Sequence, residues 1–326
     1  MSLENFYQHK RVAVLGGAGF IGSNTIEKLL TLGAHVRATT HIKEPQIHDS
    51  RIEYVRADLM SKKDIAQAMN GIDYVFMCAA NTSGAGVIEK TPLAHVTPNV
   101  IMNALALEAA YEVGVKKFLW LSSNTVYPAL DRPVREEDAF AGEPFEKYFC
   151  VAWMKRFSEI LCEMYAKHIP NPMKVVVVRP ANLYGEYDDF EWETSHVVPA
   201  LIRKVVERHD PIEVWGDGRD IKDLMYIKDF VEGMLLAMER IDDFQPLNIG
   251  TGVPVTVRDA LAAALRAEGY ESAKISFNAA KPTMIPKRLI DVSRAENILG
   301  FKARTPLAEG IAHTVAWYRE KSAVKK

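Results

Sequence analysis

The chain has 326 residues, 48% hydrophobic and 25% charged, an ordinary globular composition large enough for one big domain or two smaller ones. Forty basic residues against forty-two acidic ones leave a net charge near −2, so no basic excess points to nucleic acid or an anionic membrane as partner. No run approaches the roughly 20 apolar residues of a membrane span, and the opening MSLENFYQHKRVAVL has no secretory pattern. Cys78, Cys150 and Cys162 are odd in number and widely spaced. They read as reduced thiols of a cytoplasmic protein, not as a disulfide framework or a metal site.

In chain order, short apolar runs at 11–15, 35–39, 52–56, 74–78, 117–121 and 175–179 alternate with amphipathic segments at 21–32, 62–69, 100–113 and 151–167. Most of the runs are apolar throughout, as strands covered on both faces require. Strand, helix, strand, repeated, predicts an α/β fold with a doubly wound parallel (Rossmann) sheet and right-handed crossovers. Gly33 and Gly114 stand where helix C-caps belong. After Arg179 the alternation loosens at 183–223 and 270–326, while 224–227 and 247–250 read as returns to the sheet. The expected organisation is a dinucleotide-binding domain from 1–180 plus about 224–260, and a smaller substrate lobe from about 181–223 and 261–326, with a ligand cleft between them.

Gly16, Gly19 and Gly22 follow the first strand with the spacing G-x-x-G-x-x-G, and Phe20 and Ile21 open the next helix. Glycine permits the tight turn and the close approach of a pyrophosphate, which then faces free N–H groups and the helix dipole. An acid at the end of the second strand would favour NAD, a base NADP. This chain has Thr40, His41 and Lys43 there, with Arg37 nearby and no acid, which leans toward NADP over NAD. Asp58 and Leu59 follow the third strand, where they serve either the adenine or a helix cap beside Ser61.

Seven motifs now stand in order: GGAGFIG at 16–22, DL at 58–59, AA at 79–80, SSNTVYP at 122–128, RPANLYG at 179–185, MYIKD at 225–229 and NIGTG at 248–252. With them the chain resembles the extended short-chain dehydrogenase/reductase family (NAD-dependent epimerases and dehydratases), which handles nucleotide sugars. SHVVPALIRK at 195–204 and VWGDG at 214–218 are similar to its GDP-fucose synthase branch. The resemblance implies a nucleotide-sugar epimerase or reductase, acting on a GDP-sugar at C4 or nearby, and a homodimer built through helices near 98–113 and 150–167. It implies cofactor contacts at Ala79, Ala80, Pro180 and Lys155. Ser123 would hold the reacting sugar oxygen and His196 would act as an acid. Asn182, Lys204, Trp215, Lys222, Lys287 and Arg288 would bind the sugar nucleotide.

Two positions depart from the family pattern. The family's catalytic tyrosine precedes the lysine by four residues, and here that residue is Val151. Thr125 stands where the GDP-fucose synthase branch has a cysteine base, and threonine is a poor base near pH 7. Three readings stay open: Tyr148, two turns before Lys155, substitutes; Ser123 or Thr125 completes a relay through water; or the protein binds its ligands with weakened turnover. A tyrosine-lacking dehydratase or dehydrogenase is a further alternative, although Val126-Tyr127 replaces the Asp-Glu pair of a common dehydratase pattern.

Overall fold

The computed structural model describes residues 2–81, 91, 93–281 and 283–324. The elements are α1 (Leu3–Tyr7), β1 (Arg11–Leu15), α2 (Phe20–Thr31), β2 (His35–Thr40), β3 (Ile52–Arg56), α3 (Lys62–Met69), β4 (Tyr74–Met77), α4 (Leu93–Val113), β5 (Lys117–Leu121), α5 (Phe149–Glu163), β6 (Lys174–Pro180) and β7 (Asn182–Tyr184). They continue with α6 (Val197–Val206), β8 (Ile212–Trp215), β9 (Ile221–Tyr226), α7 (Ile227–Arg240), β10 (Pro246–Ile249), β11 (Pro254–Thr256), α8 (Val257–Glu268), β12 (Ile275–Asn278), β13 (Lys287–Arg288), α9 (Ser293–Leu299) and α10 (Leu307–Val324).

Seven parallel strands form the main sheet in the order β10-β6-β5-β4-β1-β2-β3. The strand alternation explains why both faces are covered. Val12, Val14, Phe76, Leu119, Leu121, Val176 and Val178 point into one core with α2 and α7. Their neighbours Ala13, Leu15, Val75, Met77, Phe118, Trp120, Val175 and Val177 point into the other, under α3, α4 and α5. Gly33 and Gly114 take left-handed φ of 71° and 72° at the helix ends where caps were expected.

Two expectations are corrected. The segment 224–227 does not return to the main sheet: its strand, β9, pairs with β7, β11 and β13 in a separate small sheet, and only β10 rejoins the large one. The helix expected at 100–113 begins earlier, at Leu93, and runs through Pro98. Proline removes a donor to the carbonyl four residues back, here Ala94. That carbonyl instead accepts the side-chain amide of Asn81 at 2.8 Å, so the first turn survives.

One polar cluster is fully enclosed between β5, α5 and β6. Arg179 of β6 and Glu159 of α5 are each 2% exposed and paired at 2.5 Å, with a second bond from Arg179 Nε at 2.8 Å. Ser122, just past β5, donates to the same carboxylate. Arg179 also donates to the Tyr127 hydroxyl at 2.9 Å, and Tyr127 donates to Asn248 of β10 at 2.5 Å. Removing one member of such a pair strands the other charge without water. Arg179→Met is therefore expected to cost about 3–5 kcal/mol in denaturant unfolding, and the double change Arg179→Met with Glu159→Leu to cost much less. Equal losses in the single and double variants would show that the pair is not what the fold depends on.

Candidate functional site

The glycine turn forms at the C-terminal end of β1. Gly16 has φ +84°, and a Cβ there would lie 2.6 Å from the Ala79 Cα, so the turn and the end of β4 touch backbone to backbone. A Cβ on Gly22 would sit 2.2 Å from the Gly16 carbonyl oxygen, which only glycine avoids. The Gly16 N–H donates to Thr39 Oγ1 and the Gly17 N–H to the Thr39 carbonyl, both at 2.8 Å. These bonds fix the turn against β2. Gly19 is the N-cap of α2 and supplies no side-chain cap, so the helix opens with donors at Phe20, Ile21 and Gly22 that no side-chain cap covers. This cradle fits the pyrophosphate of a dinucleotide.

At the end of β2, Thr40 is half-buried and His41 and Lys43 are exposed. Arg37 is removed from the set of bases expected near the ribose. Its guanidinium is bonded to Glu53 at 2.9 Å and to the Asn70 carbonyl at 2.8 Å, at the C-terminal end of α3. Asp58 accepts the Met60 N–H at 2.9 Å, while Ser61 and not Asp58 caps α3. Leu59 is buried in the core beside β1.

Ser123 caps a short 3-10 turn after β5 and accepts both the Thr125 N–H (3.1 Å) and the Thr125 hydroxyl (3.0 Å). Its oxygen thereby keeps its own proton for a ligand. Asn124 donates to the Pro180 carbonyl (3.1 Å) and to Asn182 Oδ1 (3.4 Å), tying this turn to the end of β6. Lys155 reaches from α5 to the Leu121 carbonyl at 2.8 Å, with its ammonium 4.7 Å from the centre of the Trp120 ring. Burial pulls its pKa down to about 8. Ser123, Thr125, Lys155, Pro180 and Asn182 thus meet at one sheet edge, where open parallel sheets bind ligands.

His196 caps α6. Crowding by protein lowers its pKa, and the Asp189 carboxylate opposes that shift. Lys155 and Asp188 are half-buried and His196 is exposed, and desolvation is the largest influence on the titration of each.

The other residues expected to bind the sugar nucleotide lie away from that edge. Lys222 is bonded to the Ile285 carbonyl and lies 3.4 Å from Asp220. Arg288 is 3% exposed and donates to the Pro128 and Tyr127 carbonyls, each at 3.0 Å, while its Nε has no partner. Tyr148 belongs here: its phenol meets the backbone of Ile285 and the charge of Arg288, and burial pushes its pKa up to about 12. Lys287 donates to the Asp131 carbonyl. Lys204 donates to the Glu213 carbonyl at 2.6 Å, and Trp215, two residues further along β8, is exposed.

Sequence reasoning missed the loop that joins the two regions. Asn24 of α2 donates to the Glu186 carbonyl at 2.8 Å, and the Tyr187 hydroxyl donates to Glu27 at 2.6 Å. Beside them Asp188 carries a buried oxygen without a partner, and desolvation raises its pKa to about 8 against a lowering pull from Lys43. The adjacent acids Asp188-Asp189 were the available signal, but nothing in their spacing shows that one is buried.

Residues 12–250 match the family model described as the NAD dependent epimerase/dehydratase family. The GDP-L-fucose synthase of Escherichia coli (strain K12) is 28% identical, with 95% of this chain and 97% of that protein covered. A probable GDP-L-fucose synthase 1 of Oryza sativa subsp. japonica is also 28% identical, covering 95% of this chain and 92% of its own. Among solved structures, a UDP-glucose 4-epimerase from Thermotoga maritima, determined with UDP-glucose, superposes with a TM-score of 0.85 at 26% identity over 96% of this chain and 99% of that one. A Thermus thermophilus UDP-glucose 4-epimerase, complexed with NAD, gives a TM-score of 0.83 at 25% identity over 95% and 99%. On the family match across most of its length, this chain belongs to the NAD-dependent epimerase/dehydratase family.

Proposed function

We propose that the protein is a nicotinamide-dependent epimerase or reductase of a GDP-linked sugar, acting at C4 or nearby, with NADP preferred over NAD. The observation that carries this reading is the convergence of the glycine cradle, the Ser123–Thr125 hydroxyl pair and Lys155 on one sheet edge. Relatives named GDP-L-fucose synthase across nearly the whole chain support the choice of sugar nucleotide. The exposed His41 and Lys43, with no acid at the end of β2, support NADP.

A nicotinamide dinucleotide bound in the cradle supplies a hydride. The chain's own groups do the rest. Donors at the start of α2 hold the pyrophosphate, and Ala79, Ala80 and Pro180 border its path. Ser123 gives its free proton as a hydrogen bond to the reacting sugar oxygen. His196, whose pKa is lowered by the surrounding protein, exchanges a proton with the sugar. Trp215, Lys204, Lys222, Lys287 and Arg288, on the strands and segments outside the large sheet, bind the nucleotide diphosphate and sugar. The setting is cytoplasmic, in keeping with the three free thiols.

We also propose a homodimer. Phe149, Trp153, Phe157, Ile160 and Met164 are 54, 38, 46, 41 and 44% exposed at spacings of four, four, three and four, one apolar stripe down α5 and its final turn. α4 lies beside it, joined by the Asn103–Ser158 hydrogen bond at 3.0 Å. A second copy presenting the same pair of helices covers such a stripe symmetrically.

Ser123→Ala and His196→Ala are each expected to lower turnover of a GDP-linked 4-keto sugar by about 100-fold in steady-state assays. Unchanged rates in both would remove these role assignments. Phe157→Glu is expected to shift the protein from dimer to monomer in sedimentation velocity with its circular dichroism retained. A wild-type protein that already sediments as a monomer contradicts the dimer.

A further inference from the structure

With Val151 one turn before Lys155, the reduction proposed above has no phenol at that place, and its proton has to come from another group at the end of β5. The Tyr148 phenol is turned away, toward Ile285 and Arg288. The Ser123 and Thr125 hydroxyls are bonded to each other and are not acids near pH 7. That leaves Lys155.

Its surroundings suit an acid. Nζ rests 2.8 Å from the Leu121 carbonyl, two residues before Ser123, so the ammonium and the Ser123 hydroxyl leave the same strand end. The nearest acid, Glu159, lies one helical turn on and is committed elsewhere: one oxygen takes Arg179 Nε and the Ser122 hydroxyl, the other takes a terminal nitrogen of Arg179. The other groups facing Lys155 do not neutralise it either. Cys162 on the same helix is a buried thiol whose pKa is raised, so it stays protonated. β5 offers the Trp120 ring, β6 offers the already paired Arg179, and the following turn offers hydroxyls. Among the described residues Lys155 forms no ion pair. Burial disfavours the ammonium more than the through-space pull of Glu159 favours it, and the pKa comes down to about 8, so the group gives up a proton readily.

We propose that Lys155 is the proton donor of this site, delivering an Nζ proton to the sugar oxygen that Ser123 holds. The inference rests on the function proposed above. Hydride addition breaks the carbonyl π bond and places its electron pair on oxygen. One N–H bond of the Lys155 ammonium then breaks as the O–H bond forms. Lys155 is left as a neutral amine and takes a proton back from water, and in the reverse direction the amine accepts the hydroxyl proton.

Two measurements test this. In ligand-free protein, NMR of ¹⁵N-lysine, with the Lys155 signal identified by its loss in Lys155→Arg, is expected to show an ammonium titrating near 8. In turnover of a GDP-linked 4-keto sugar with NADPH, the rate of the reduction is expected to hold below that pH and fall tenfold per pH unit above it. Lys155→Arg keeps the positive charge but cannot release a proton in this range. It is expected to keep the circular dichroism of the wild type and to lose about 100-fold or more in kcat. A Lys155 signal titrating above about 10, or a Lys155→Arg protein with kcat retained, overturns the proposal alone. A wild-type protein that binds and turns over no GDP-linked sugar overturns the function it rests on as well.

Discussion

The buried pair between Arg179 and Glu159 is the constraint on which the proposed catalytic edge is built. A guanidinium and a carboxylate, each 2% exposed, hold β6 against α5, and the same carboxylate takes Ser122 at the end of β5. Ser123 is the next residue along the chain, and Lys155 is one turn back along the helix. Ser123 and Lys155, the groups proposed to act on the sugar, are thus displaced by a single step from a locked, dry polar centre. Arg179 extends the lock through Tyr127 to Asn248 on β10, which in turn donates to the carbonyls of Val134 and Asp291 at 3.0 and 3.1 Å. A cluster satisfied at this level specifies one arrangement of four elements.

That lock also sets the electrostatics of the site. Because Glu159 is bonded directly to Arg179, it acts on Lys155 only through space, and burial outweighs that pull. Structure and reactivity are coupled here through one carboxylate. On the cofactor side the coupling is steric instead. Gly16 and Gly22 let the β1 turn press against Ala79 and against itself, so the first turn of α2 lies open to an anion. Asn24 and Glu27 of the same helix then hold the 186–188 loop, which leads on to Asp189 and His196. Helix α2 and the 186–188 loop therefore share hydrogen bonds without sharing a strand.

The large sheet was legible because its signal is local. Runs such as Val175 to Val178 are apolar at every position, and the structure buries successive residues in opposite cores. The glycine turn was legible because its spacing is itself a steric statement. The sequence did not show that β9 leaves the sheet, since its apolar residues look like those of any buried strand and pairing partners are chosen at long range. Nor did it show that Arg37 is engaged by Glu53 and α3, because a mid-strand arginine carries no mark of its partner. The early start of α4 was not legible, because the rescue of the turn at Pro98 depends on Asn81, a side chain seventeen residues earlier. Tyr148 was weighed by helical spacing from Lys155. It is instead the N-cap residue of α5, where the chain enters the helix and the spacing no longer fixes direction. Charges that face one another across a fold, such as Asp188 and Lys43, leave no periodic trace.

The most direct measurement is a titration of nucleotide-free protein with NADPH and NADH, followed by the quenching of protein fluorescence, on the wild type and on Gly16→Ala. The account predicts saturable binding to the wild type, tighter for NADPH, and loss of both ligands in Gly16→Ala, whose Cβ would collide with the Ala79 backbone. A wild-type protein that binds neither nucleotide, or a Gly16→Ala variant that binds both as well as the wild type, would contradict it.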